Sequence, residues 1–140
     1  KPMLGRLINN GLIQEHELGR MLEVKPGRTF QDARKAYAEK LRSFEDVIEK
    51  TTDLFLRVNT SQAELIATVM YAANEVKERM KENLSEVDVL NAVLEWKVRR
   101  RPPVKSEEVA KTIRNLAALG WLKVTASADL PVPEEEFVNA

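Results

Sequence analysis

The chain has 140 residues, 44% of them apolar and 31% charged, which fits one compact domain and excludes a wholly disordered or collagen-like protein. Lys and Arg number 22 and Asp and Glu number 22, so no whole-molecule field marks a nucleic-acid or membrane binder, and any such signal must be local. The absence of cysteine removes disulfides, thiolate metal sites, iron–sulfur clusters and cysteine nucleophiles. Purely apolar runs reach only a few residues, far short of the roughly 18 to 20 that a spanning helix needs, and Lys1 to Arg20 lacks a signal-peptide block. No membrane partner and a cytoplasmic location are the expectation.

From the amino terminus, Met3 to Asn9 and Gln14 to Glu23 read as two short helices, with Asn10-Gly11 as the turn and Pro26-Gly27 as the stop. Leu4-Gly5-Arg6-Leu7-Ile8, Gly11-Leu12-Ile13, Leu18 and Leu22 together resemble the small helical module that precedes the motor domain in some secretion ATPases. That resemblance implies a helical hairpin and nothing more, because no phosphate-cradling Gly-rich loop follows.

The 74 residues from Arg28 to Arg101 contain neither Gly nor Pro, which favours long helices over strands. Hydroxyl caps divide the stretch: Thr29 stands three residues before Asp32, Ser61 before Glu64 and Ser85 before Asp88. Three helices are predicted at about 29–57, 61–83 and 85–100. In the first, Tyr37, Leu41, Phe44, Ile48, Thr51, Phe55 and Val58 recur at steps of four and three, broadened by Val47 and Leu54. Such a stripe must be buried, within the chain or across a two-fold axis, and a homodimer through the 29–57 helix is the expected association. In the second, Ile66, Val69, Met70, Ala73, Val76 and Met80 form the inner face. The third carries two apolar rows, one of Val87, Leu90, Leu94 and Val98, the other of Val89, Val93 and Trp96, and is expected to be the central helix.

After Pro102-Pro103 a fourth helix is predicted from Ser106, its N-cap, to about Leu119, with Gly120 as a left-handed stop and Trp121 to Thr125 as a short strand. The expected organisation is a single domain over 1–140. It comprises a helical hairpin at 1–27, a long-helix bundle at 28–100, a basic helix with short strand at 101–127 and an extended or disordered tail at 128–140. The fold class is all-α.

Catalytic chemistry finds no footing. His16 among Glu15, Glu17 and Glu23 has no ligand spacing and reads as a surface histidine. Glu45, Glu49 and Asp53 recur at steps of four, but Arg42 with Asp46, Asp46 with Lys50 and Asp53 with Arg57 form the opposite-charge pattern of a solvated helix face. No catalytic residue, metal or cofactor is assigned.

The local charge carries more. From Trp96 to Lys123 eight basic residues face only Glu107 and Glu108, a net charge of +6, so the remainder of the neutral chain carries −6. Concentrated positive charge of this kind is a footprint for phosphates. Residues 106–124, with their Ile-x-x-Leu-x-x-Leu-Gly-Trp-Leu run, resemble the recognition helix and first wing strand of winged helix-turn-helix proteins. The resemblance implies binding of double-stranded DNA, with helix 85–100 as the second helix of the motif. The residues that would meet DNA are Arg99, Arg100, Arg101, Lys105, Lys111, Arg114, Asn115 and Lys123. The expected function is therefore DNA binding or regulation; the alternative is a non-catalytic interaction or oligomerisation bundle.

Overall fold

The computed structural model describes residues 2–80, 83–97 and 103–132. Among them lie seven helices and one two-stranded sheet, so the protein is mostly helical. The chain divides into two compact units, residues 1–54 and 55–140.

The first unit opens with helix α1 (Pro2–Asn9), which packs on strand β1 (Ile13–Leu18) of an antiparallel hairpin completed by β2 (Met21–Pro26). This corrects the predicted helical hairpin, since Gln14 to Glu23 is strand rather than helix. The reason lies in the turn: Leu18 pairs with Met21, so Gly19-Arg20 is a two-residue loop, and Gly19 adopts φ +64°. A left-handed glycine in such a loop matches the twist of antiparallel strands. The base of the hairpin is closed by the Gly27 amide donating to the Leu12 carbonyl at 2.8 Å and the Thr29 amide donating to the Gly11 carbonyl at 3.0 Å.

The single helix predicted over 29–57 is instead three consecutive segments, α2 (Phe30–Ala36), α3 (Ala38–Ser43) and α4 (Glu45–Leu56). The breaks fall at Tyr37 and Phe44, both with φ −105°. At Phe44 the cause is visible. The Ser43 hydroxyl donates to the Lys40 carbonyl at 2.6 Å and the Phe44 amide turns to the Leu41 carbonyl, a tighter bond than the α-helical ladder allows. The four-residue ladder holds from Leu41 to Tyr37 and resumes from Ile48 to Phe44, so only the single step at Phe44 is tightened. Thr29 holds the N-cap position without a capping bond, its hydroxyl donating to the Asn10 carbonyl at 2.7 Å.

The second unit contains the core. Helices α5 (Thr60–Met80), α6 (Glu86–Lys97) and α7 (Ser106–Ala118) pack pairwise on one another, with α6 against both neighbours. Their inner faces supply Val69, Val89, Val93, Val109, Ile113 and Leu116, all fully buried. Each such side chain contributes about 1.5 to 3 kcal/mol on burial. Ala72, Ala73 and Ala110 are buried with them. Of the inner face predicted for α5, Ile66, Val69, Ala73 and Val76 are buried, Met70 is half-buried and Met80 is exposed.

Capping differs from expectation at two helices. At α5 the reciprocal box is made by Asn59 and Gln62, the Gln62 amide donating to Asn59 Oδ1 at 2.9 Å and the Asn59 amide to Gln62 Oε1 at 3.0 Å, rather than by Ser61 and Glu64. Asn59 outcompetes Ser61 because it precedes the first helical residue, Thr60. At α7 the N-cap is Lys105, extended and without a side-chain cap, and Ser106 is already helical. The predicted box at α6 is present, with Ser85 and Asp88 exchanging bonds of 3.0 and 3.2 Å. Helix α7 ends at Gly120, φ +82°, where the Trp121 amide reaches the Leu116 carbonyl and the Gly120 amide the Ala117 carbonyl. This is the paired closure that a left-handed residue permits.

Beyond Gly120 the predicted strand Trp121 to Thr125 is reduced to one parallel bridge between Thr125 and Ser85. The segment has only the short stretch around Leu84 and Ser85 to pair with, because α6 begins immediately after it. Leu122 and Leu130 are buried, anchoring residues 122–130 against the second unit.

Candidate functional site

Two surfaces compete for function, one in each unit. In the second unit the centre of attention is the amino-terminal end of α6, where the Glu86 carboxylate is buried with its side chain only 3% exposed. It survives there because its lone pairs are filled. Arg114 donates through Nη2 to Oε1 at 2.9 Å and through Nε to Oε2 at 3.3 Å, and the Ser127 amide donates to Oε1 at 2.9 Å. A forked guanidinium on a carboxylate is among the stronger charge-assisted contacts. Arg114 also donates to the Ser127 carbonyl at 3.2 Å, and the Ser127 hydroxyl accepts from the Val87 amide at 3.3 Å. The Arg114 hydrogen bond holds the Glu86 carboxyl below its ordinary value of 4.5 against the opposing effect of burial, helped by the Ser127 amide. The same bond raises Arg114 above its ordinary value.

This cluster changes the reading of the basic segment. Arg114, expected to meet DNA, is turned along the protein to Glu86. Lys97, counted in the local +6, is buried and pairs with Glu64 Oε1 at 3.3 Å, with its Nζ 5.8 Å from the centre of the Trp96 ring. Arg99, Arg100 and Arg101 lie outside the described residues. Lys105, Lys111, Asn115 and Lys123 are exposed. Lys111 and Asn115 are one turn apart on the outward face of α7, opposite the row of Val109, Ile113 and Leu116. Glu107 and Glu108 stand four and three residues before Lys111 on that face, close enough to offset its charge. Sequence reasoning missed Glu86 and Ser127. The first turn of α6 carries two acidic residues, Glu86 and Asp88, and nothing in their spacing marks Glu86 as the one that is buried.

In the first unit the relevant surface is an open trough along α2, α3 and α4, about 1160 Å³ in volume, whose apolar lining includes Phe30, Tyr37, Leu41, Phe44 and Ile48. None of the described residues 2–54 is buried. Tyr37, Leu41, Phe44, Val47 and Ile48 remain between 39% and 63% exposed. The stripe predicted to be buried is therefore arranged on one side of the helical path but left uncovered. Among the described residues no three His, Asp or Glu side chains converge to hold a metal ion, and no helix is long and apolar enough to cross a membrane. No family model, no curated protein and no solved structure matches the chain.

Proposed function

We propose that the protein is a non-catalytic association module that pairs with a second copy of itself through the stripe of α2, α3 and α4. The observation that carries this reading is the uncovered row Tyr37, Leu41, Phe44, Val47 and Ile48, in a unit with no buried described residue. A stretch of about fifty residues without a buried core is only marginally stable by itself, and contiguous exposed apolar surface marks an interaction site. Self-pairing suits a row at steps of four and three, since such a seam is complementary to itself. Sedimentation equilibrium of the full chain tests it. A dimer in the micromolar range that dissociates in Leu41→Asp and Ile48→Asp is the expected result; monomer alone at high micromolar concentration rejects it.

A second reading, binding of double-stranded DNA by the second unit, is favoured by one observation. Helices α6 and α7 are consecutive and packed, and Lys111 and Asn115 share the outward face of α7 with Lys105 at its start and Lys123 beyond its end. In this reading the winged-helix-like resemblance of residues 106–124 describes the motif, and Arg99, Arg100 and Arg101 add phosphate contacts. Against it stand Glu107 and Glu108, whose charge repels the backbone at the helix end that would enter a groove. Fluorescence anisotropy with a random-sequence duplex at low salt decides, because nonspecific binders reach dissociation constants of roughly 10⁻⁴ to 10⁻⁶ M. Binding that weakens steeply with salt and with Lys111→Glu supports the reading. No binding at about 100 μM protein removes it.

A further inference from the structure

The self-association reading leaves open how two copies align, and the residues flanking the stripe decide it. Written as heptads, Arg34, Leu41, Ile48 and Phe55 take the a positions and Phe30, Tyr37, Phe44 and Thr51 the d positions, so the wholly uncharged part of the seam starts at Tyr37 and runs through α3 and α4. The flanking g positions are then Ala33, Lys40 and Val47, and the flanking e positions Ala38, Glu45 and Thr52. In a parallel, in-register pair each g residue faces the e residue five positions later on the other copy. Along α3 and α4 the facing pairs are Lys40 with Glu45 and Val47 with Thr52: one ion pair and no like charges, while Arg34, an a position that would face its own copy, precedes this stretch. In an antiparallel pair g faces g and e faces e. Lys40 then meets Val47 or Leu54, and Glu45 meets Ala38, Thr52 or its own copy, so each charge faces an uncharged residue or a like charge.

Within one chain these two charges are uncommitted. Lys40 and Glu45 are exposed, and neither has an ionic partner among the described residues. Glu45 lies on the rim of the apolar trough beside Phe44 and Ile48, as does Lys40 beside Leu41. The four-residue ladder runs through Tyr37 and is interrupted at Phe44 by one three-residue bond before Ile48 resumes it, a single tightened step that leaves the a, d, e and g positions in the same order around the helical path. We propose that two copies of the chain pair in parallel and in register along α3 and α4, with Lys40 of each copy bound to Glu45 of the other. The two-fold axis makes this contact twice, and the apolar Val47 at a flanking position widens the seam. The ion pairs set direction and register; the stripe supplies the attraction.

Charge reversal and a seam cysteine test the arrangement in the full chain. Lys40→Glu and Glu45→Lys each place like charges opposite one another twice per dimer, and each is expected to weaken association by about tenfold. The double variant K40E/E45K restores the pairs with exchanged polarity and recovers wild-type affinity. Thr51→Cys puts the only thiol of the chain at a d position, opposite its own copy in a parallel pair, so mild oxidation yields a disulfide-linked dimer. A dimer by sedimentation in which the double variant is no tighter than either single one, and in which Thr51→Cys stays uncrosslinked, overturns parallel pairing and leaves self-association standing. A wild-type chain that sediments only as monomer rejects self-association itself, and the alignment falls with it.

Discussion

Arg114 closes a two-pronged contact on Glu86, 2.9 Å from Nη2 to Oε1 and 3.3 Å from Nε to Oε2, and so ties the middle of α7 to the first turn of α6. Because Ser127 donates to the same carboxylate and caps the Val87 amide, the contact also fixes the segment that follows α7. A residue that looks like a DNA reader from its helix position is thus a tie between three parts of the second unit.

Removing Glu86 tests that tie. Glu86→Ala leaves the Ser127 amide without its acceptor and Arg114 without its carboxylate, although Arg114 is half-exposed and regains water. The expected loss is about 1 to 3 kcal/mol in urea unfolding, the cost of orphaning a buried polar group. Arg114→Met destabilises in the same direction, because it strands the buried carboxylate. The double variant E86A/R114M is less destabilised than the two single changes added together, since the second substitution removes a partner already lost. Additive losses would show that the contact carries no coupling.

Acid should weaken the fold through two carboxylates. Glu86 sits below its ordinary value of 4.5 through Arg114 and Ser127, and Asp88 below 3.8 through the Ser85 amide and hydroxyl. For a group whose folded pKa is depressed, the unfolded chain binds the proton more readily, so the contribution to stability is complete above the unfolded value and is lost as pH falls through the folded one. Thermal unfolding midpoints should hold from pH 7 to about pH 5 and decline below about pH 4.5. Glu86→Gln should start lower at neutral pH and show a shallower acid limb. An identical limb in the variant would mean that other carboxylates dominate acid unfolding.

How much of this was legible depended on whether periodicity had a core to report. Along α5 and α6 the apolar spacing named Val69, Val89 and Val93, all fully buried, but it also named Trp96, which is 54% exposed. The β-hairpin leaves no periodic mark because none of its residues is buried, so neither a two-residue nor a 3.6-residue repeat is imposed on Gln14 to Glu23. Only Gly19 signalled a turn. The break at Phe44 depends on the Ser43 hydroxyl choosing the Lys40 carbonyl, a local competition that composition does not reveal. Among the candidate DNA contacts, Lys111 and Asn115 were legible as outward residues of an amphipathic helix. The pairing of Arg114 with Glu86 joins residues 28 positions apart and exists only once α6 and α7 have packed.

Glycine substitutions separate close approach from backbone conformation. At Gly27 an added Cβ would collide with the Gly11 backbone carbonyl, which is held by the Thr29 amide and cannot move without opening the base of the hairpin. Gly19 has open space around it but a positive φ, a conformation that Asn tolerates better than other residues. Gly27→Ala should therefore speed hydrogen exchange at the Thr29 amide, whereas Gly19→Asn should leave that amide protected. Equal protection in both variants would argue against a closed contact between Gly27 and Gly11.

Capping gives the sharpest contrast between chain pattern and structure, because Ser61-Gln62-Ala63-Glu64 has the better motif and Asn59-Thr60-Ser61-Gln62 makes the bonds. Helix α5 begins at Thr60, so the Ser61 hydroxyl lies within the first turn and no longer precedes the orphan amides. Glu64 holds Lys97 at 3.3 Å. Asn59→Ala should cost about 0.5 to 2 kcal/mol, the usual range for a lost N-cap. Ser61→Ala should change stability by no more than about 0.5 kcal/mol, as expected for an exposed position without a special contact. The two substitutions lie two residues apart and remove similar polar groups, so urea midpoints measured side by side are directly comparable. A larger loss for Ser61→Ala than for Asn59→Ala would place the start of α5 two residues later than described and return the cap to Ser61.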